Sequence, residues 1–420
     1  MRTRRFEWVG AAETAAALRS WAAESAPAVD VRPIEREVID GGDATLLQLT
    51  ALYDATERAP AALRVETEQA EAALAAVEPA LREAMEVAAA NIRAVAEAQL
   101  GEESRLELSQ GQAVTIREVP VAAAGIYAPG GRAAYPSSVL MCAIPAQVAG
   151  VARVALASPP GADGRLHPLV LAAAALCGVE EIYAMGGAQA IFALAHGTET
   201  IAPVDVIAGP GNAWVREAKR AVAGTVGIDS LAGPSELMAI VGHDSDPEWA
   251  ALDLCAQAEH GAESPLVAVA VEEHVLDAVA AATEAAATTR PSVTDASLAL
   301  VQVPEVEAAI ELANAYAPEH LELLEEDAGL MAERVRTAGC VFVGRRGATA
   351  FGDYIAGSNH VLPTGGAGRF SGPLGPATFR RRISQVEITA AAAAALAPQA
   401  DVLARAEGFP VHGESAMIRR

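Results

Sequence analysis

The stretch CAQAEHG sets Gln257 and His260 three places apart inside an alanine-rich segment that reads as helix. Residues three apart share a helix face, so an amide and an imidazole are presented together. In DPEWAALDLCAQAEHG, Asp246 suits the N-cap, Pro247 the first turn and Gly261 the termination. The imidazole would serve equally as a partner for the last carbonyls, and Gln is a weak ligand, so the pair alone does not indicate metal. A second signal is NAYAPEHLELL, where Pro318 can open a helix and leave Glu319 and His320 in its exposed first turns. Adjacent side chains diverge by about 100° around a helix, which suits two tasks: one group orients water and the other moves protons. A surface acid beside an uninvolved histidine fits the local text as well.

FGDYIAGSNHVLPTGGAGRFSG places Asp353 and His360 in a glycine-rich loop. Asp353 offers a hard oxygen, and His260 and His412 offer borderline nitrogens; with Gln257 they would make an N/O metal site with room for substrate atoms. A lone Asp in a loop also reads simply as a turn residue. Three glycine-rich turns follow strand-like runs. Gly130 and Gly131 in GIYAPGGRAAYPSS, and Gly209 and Gly211 in IAGPGNAWVREAK, permit close backbone approach before a helix, although neither stretch is a full GxGxxG fingerprint. In MGGAQAIFALAHG, Gln189 either recognises a cofactor edge or caps its helix, while His196 lacks a nearby acidic partner in sequence and reads as structural.

The elements that must position these residues divide into two kinds. From Asp43 to Leu100 good helix formers recur with apolar residues at three- and four-residue intervals, and Pro79 marks a helix start. After the strand-like AVTIREV, short apolar runs alternate with helices: VARVALASP, EIYAM and VDVIAG, then LMAIVG, LVAVAVEE and CVFVG. This alternation predicts an α/β fold with two mainly parallel, helix-covered sheets. The expected division is a peripheral segment at 1–35, one α/β domain from 36–125 and 236–375, a second at 126–235 inserted into it, and a helical tail at 376–420. That tail, EGFPVHGESAMIRR at its end, has too few bulky apolar residues for its own core. Its Glu407, His412 and Glu414 are either surface groups or completions of a shared site.

A chain of 420 residues has ample material for two cores. Its formal net charge of -24 opposes a polyphosphate partner, so no nucleic acid is expected. An acidic field suits a cationic small substrate or a metal ion, or solubility alone. Four widely spaced cysteines form no paired-thiol motif, which favours a reducing, cytoplasmic setting. No secretory leader or membrane span is expected, because charged residues interrupt the N-terminal stretch and the long apolar runs are alanine tracts.

Taken in order, YAPGG, GGAQA, GPGNAWV, AGPSE, QAEHG, PEHLEL, GDYIAGSNHVLPTGGAGRFSG and EGFPVHGES cover most of residues 120–416 and closely resemble the histidinol dehydrogenase family. The resemblance implies a zinc-dependent, NAD-using oxidation of L-histidinol through bound L-histidinaldehyde to L-histidine, ending histidine biosynthesis. It implies two incomplete Rossmann-like domains in an intertwined homodimer, with the 376–420 tail reaching the partner's site. One zinc per site would be held by Gln257, His260, Asp353 and His412. Glu319 and His320 would be the acid/base pair; Ser235 and Glu407 would join these groups around substrate, with His360 nearby. Tyr127, Gln189 and Asn212 would contact NAD, used as cosubstrate. The chain departs from the family pattern at Val206, where a lysine is common, and at Ser230 and Leu231, which replace a methionine-proline pair. Two rivals predict different behaviour: a zinc hydrolase needs no NAD site, and a metabolite-binding dimer needs no protic pair.

Overall fold

The computed structural model describes residues 1–420 except 24–28, 55–56, 131–133 and 294. Gly131, expected in the first glycine-rich turn, lies outside the described residues. The predicted alternation yields two six-stranded sheets. The first runs Arg64–Val65, Glu181–Ala184, Arg153–Ser158, Ala123–Tyr127, Val206–Ala208, Gly227–Ile228. It is parallel apart from its first edge strand. The second is parallel throughout and runs Arg2–Phe6, Ser297–Gln302, Pro265–Ala270, Leu237–Val241, His320–Leu324, Cys340–Val343. Helices cover both faces of each sheet, which is why its inner strands read as continuous apolar runs.

Three features differ from the sequence reading. The early helices cover the first sheet and do not pack on the 236–375 unit alone, although Asn91 donates to the Ile355 carbonyl at 2.8 Å. Arg32–Tyr53 buries Val38, Leu46 and Leu49 on one face of the first sheet, and Pro79–Ala98 buries Met85, Ala88 and Ile92 on the other. Helical periodicity reveals an apolar face without revealing what covers it. Residues 1–35 are also more than peripheral: Arg2–Phe6 is an edge strand of the second sheet, and Ala11–Ala23 packs on the helix Val306–Tyr316. PEHLELL, finally, is no helix start. The preceding helix ends at Tyr316, Ala317 takes a left-handed conformation (φ 52°), and the chain emerges extended into His320–Leu324. This strand lies between Leu237–Val241 and Cys340–Val343, so all five of its residues are buried.

A three-stranded antiparallel sheet, Arg380–Glu387, Ala113–Pro120 and Ser104–Glu107, completes the fold. Beyond it the helices Ala390–Ala406 and Pro410–Met417 pack on each other and leave Val402, Leu403, Phe409, Val411 and Ile418 exposed. No described helix is long and apolar enough to cross a membrane.

The glycine turn before Ala213–Val222 is fixed from beneath. Gly209 has φ +123°, and a Cβ there would overlap the main chain of Tyr127. The Lys219 ammonium, only 1% exposed as a residue, donates to the Gly209 carbonyl and to Asp229 Oδ1, both at 2.5 Å. Asp229 accepts from the Gly209 and Ser230 amides at 2.8 and 2.7 Å. Lys219 is therefore consumed internally and does not replace the lysine absent at Val206. Breaking a buried pair strands its remaining charge. Lys219→Met is expected to lower stability by about 3–5 kcal/mol, and Lys219→Met/Asp229→Asn to regain part of it, measured by chemical denaturation. Equal losses in the two variants would rule out the stranded charge as the cause.

Candidate functional site

The densest polar cluster stands at the N-terminal ends of two neighbouring strands of the second sheet, where Leu237 pairs with His320. Ser235 and Glu236 precede one strand; Glu319 precedes and His320 begins the other. Glu319 Oε2 accepts from Ser235 Oγ at 2.6 Å and from the Glu236 amide at 2.8 Å. Gln257, buried in the last turn of Pro247–Ala258, donates its amide to Ser235 Oγ at 2.7 Å. His320 Nδ1 lies 3.1 Å from the Glu236 carbonyl oxygen. A carbonyl only accepts, so Nδ1 carries the proton and Nε2 is the nitrogen left for chemistry.

His320 Nε2 faces Asp353 Oδ1 at 3.6 Å, an ion-pair separation too long for a hydrogen bond, and has no hydrogen-bond partner. Burial disfavours the imidazolium, but Glu319 and Asp353 outweigh it and hold the His320 pKa well above the usual histidine value. Burial likewise opposes ionisation of Asp353, yet His320, with His360 and His260, holds that carboxyl below its ordinary value. Asp353 sits in the short helix Thr349–Tyr354, not in the expected loop. His360 does lie in the loop that follows. Its Nδ1 contacts the Asp353 carbonyl at 2.9 Å and its Nε2 contacts Ser138 Oγ at 3.2 Å, so it ties this helix to Pro136–Val148 of the first unit. Burial lowers its pKa, which suits a neutral ring with one donor and one acceptor.

Ser235, Gln257, Glu319, His320 and Asp353 are thus brought together, with His360 behind Asp353. His260 was expected on the helix face beside Gln257. The helix instead ends at Ala258, with Glu259 as C-cap, and His260 stands exposed in the turn beyond, where its charge still acts on Asp353. The Gln257 Oε1 atom is buried without a hydrogen-bond partner. An orphaned amide oxygen, a carboxylate and an imidazole form a donor set that fits a divalent cation. Among the described residues of one chain, no three His, Cys, Asp or Glu side chains gather to hold a metal. His412, exposed in Pro410–Met417, is accordingly not joined to His260 and Asp353 within a single chain; Glu407, at the end of Ala390–Ala406, is also exposed.

The expected cofactor residues lie at the C-terminal ends of the first sheet's strands, the usual crevice for ligands in such sheets. Tyr127 ends its strand, and its buried hydroxyl accepts from the Gly187 amide at 3.1 Å. Gln189, also buried, donates to Asp54 Oδ2 at 3.3 Å. Asn212 caps Ala213–Val222, accepting from Trp214 and Val215 at 3.1 and 3.2 Å. Sequence reasoning missed Asp54, whose pKa burial pushes up to about 6. It also missed an acidic partner for His196, whose Nε2 lies 3.0 Å from Glu35 on a helix distant in sequence.

Sequence reasoning missed a second carboxyl pair. Glu322 follows His320 by two residues and so shares its strand face, while Asp253 precedes Gln257 by one helical turn. Glu322 Oε1 accepts from the Thr349 amide at 3.0 Å, at the start of the Asp353 helix. Burial, then the charge of Asp253, raises Glu322 well above the carboxylate range; burial pushes Asp253 to about 6. A raised carboxyl pKa contributes stability that is complete below the unfolded value near 4. That contribution disappears as pH climbs through about 6. The thermal midpoint of the native protein is expected to decline relative to Asp253→Asn between about pH 5 and pH 8; parallel curves would contradict this.

The family model described as histidinol dehydrogenase matches residues 19–420. A histidinol dehydrogenase of Rhizobium meliloti is 44% identical over 400 residues, 93% of this chain and 92% of its own. One from Rhodospirillum rubrum is 46% identical over 413 residues, covering 96% and 95%. The crystal structure of histidinol dehydrogenase from Elizabethkingia anophelis superposes with a TM-score of 0.91 at 32% identity, covering 100% of this chain and 98% of that one.

Proposed function

The chain belongs to the histidinol dehydrogenase family, and we infer that its Glu319–His320 cluster is where it oxidises L-histidinol through L-histidinaldehyde to L-histidine. The observation that carries this assignment is the grip of one main-chain segment, Ser235–Glu236, on both members of the pair. The reaction is NAD-linked. Converting the alcohol to a carboxylate removes two hydrides, consumes one water and releases three protons, so two NAD⁺ are reduced for each histidine formed.

In the first oxidation His320 Nε2 takes the hydroxyl proton as hydride leaves the carbinol carbon for nicotinamide. This requires neutral imidazole, and the two carboxylates beside it favour the charged form. Asp353, if it held a cation, would act less strongly on the ring, which would then lie nearer the neutral form its task needs. In the second oxidation Glu319 orients water onto the aldehyde. Both of its recorded bonds from Ser235 and Glu236 go to Oε2, so Oε1 is the oxygen directed to water. His320 then accepts the hydrate proton as the second hydride leaves. Retaining the aldehyde between two steps in one pocket protects it from release.

The donor chemistry supports zinc at Gln257, His260 and Asp353, with His412 from the second subunit of a homodimer. Zinc would supply substrate orientation and Lewis acidity without redox chemistry. Ser235 and Glu407 would complete the substrate contacts. Tyr127, Gln189 and Asn212 would serve the cofactor at the incomplete Rossmann-like first sheet. The exposed apolar face of the C-terminal helices supports their burial against a second copy. The four free cysteines support a reducing, cytoplasmic setting.

An anaerobic assay of metal-defined protein with L-histidinol is expected to yield two NADH per histidine, and Glu319→Gln to impair aldehyde oxidation by about 100-fold while alcohol oxidation suffers much less. Equal effects on both half-reactions would remove Glu319 from the hydration step. Mixed dimers of Asp353→Ala and His412→Ala subunits should regain part of the activity, since one of their two sites escapes both substitutions. Demonstrably mixed, folded dimers with no recovery would exclude the shared site.

A further inference from the structure

The side chain of Glu236 faces away from the cluster its main chain holds. It is buried, and its carboxylate accepts four hydrogen bonds from three groups: Arg19 through both terminal nitrogens, Nη2 at 3.0 Å; the Tyr316 hydroxyl at 3.1 Å; and the Gly365 amide at 3.1 Å. Arg19 comes from the N-terminal helix Ala11–Ala23, far from the cluster in sequence. Its Nη2 also donates to the Tyr316 and Ala317 carbonyls at 2.6 and 3.1 Å, and its guanidinium stacks 3.6 Å from the Tyr316 ring centroid.

One guanidinium therefore ties together the two segments that carry the acid/base pair. On one side is Glu236, whose amide holds Glu319 Oε2 and whose carbonyl accepts from both Nδ1 and the amide of His320. On the other is the 316–317 turn immediately before Glu319. That turn includes the left-handed Ala317, a conformation unfavourable for a non-glycine residue, so it needs restraint from its surroundings. Arg19 binds the two carbonyls that flank this turn's entry. A buried ion pair is a poor source of net stability against an apolar replacement but a good source of fixed geometry when fully hydrogen-bonded.

We propose that Arg19 and Glu236 are positioning residues for the oxidation, holding Ser235–Glu236 and Ala317–His320 at the separation the chemistry requires. This rests on the assignment of Glu319 and His320 above. It gives the N-terminal helix a part in turnover without contact with substrate.

The test uses full-length, metal-loaded enzyme and compares Arg19→Met, Arg19→Lys, Glu236→Gln and the double variant Arg19→Met/Glu236→Gln. Thermal midpoint, L-histidine binding by calorimetry, and kcat and KM for L-histidinol are measured for each. The double variant leaves no stranded charge and is expected to recover stability relative to Arg19→Met, yet its kcat should remain about 10–100-fold low, with KM and histidine affinity within about threefold of native. Arg19→Lys, which keeps a charge but loses the planar fork, should restore kcat in part. If kcat returns with stability in the double variant, or if KM rises and histidine affinity falls in proportion to the loss of kcat, the pair is merely structural and the proposal fails. Glu319→Gln and His320→Asn serve as controls: unimpaired turnover in both would overturn the underlying assignment instead, whatever Arg19 does.

Discussion

A carboxylate and an imidazole buried at the N-terminal end of an inner strand need partners that water no longer provides. Here the segment leading into the neighbouring strand supplies them: the Glu236 amide and the Ser235 hydroxyl for Glu319, the Glu236 carbonyl for His320. Two parallel strands in register, Leu237 opposite His320, make the supply possible, because their N-terminal ends present unpaired backbone groups side by side. The same bonds choose the histidine tautomer and engage one carboxylate oxygen, Oε2, twice. Burial thus sets direction as well as strength, since hydrogen bonds and charges act more strongly where solvent is excluded.

The two sheets are used from opposite ends. In the first, Tyr127 and the glycine turns before Gly187 and Asn212 stand where strands finish. In the second, Ser235, Glu236, Glu319 and His320 stand where strands begin. The link between them is the chain from Asp229 to Ser235. Asp229 is clamped by Lys219 and the Gly209 amide, and Ser235 by Glu319 and Gln257. A second tie runs through the loop after Asp353, where His360 meets Ser138 and Asn359 donates to the Met141 carbonyl at 2.6 Å. Hydride transfer between halves requires this mutual registration, since the reacting atoms tolerate little misplacement.

Charge is concentrated with similar economy. Glu236, Glu319, Glu322 and Asp353 crowd a region whose cationic partners are Arg19 and histidines. Glu322 and Asp253 avoid double ionisation by retaining a proton, and the surplus near Gln257 and Asp353 favours a cation.

The sequence by itself determined the α/β alternation, the helix starts at Pro79 and Asp246, the glycine turns after the strands, and, through its ordered motifs, the family to which the chain belongs. These are local properties: a cap, an apolar run or a motif is written in consecutive residues. Tertiary structure decided that HLELL is a strand, because a short segment becomes β when strands pair with both of its edges and its side chains are buried on both faces. It decided that the early helices cover the first sheet, that Glu35 meets His196, that Asp253 meets Glu322, and that Arg19 reaches Glu236. An arginine in an alanine-rich helix carries no local sign of a carboxylate more than two hundred residues away. Such pairings arise only when burial removes water and each charge must be satisfied by whatever the fold brings beside it.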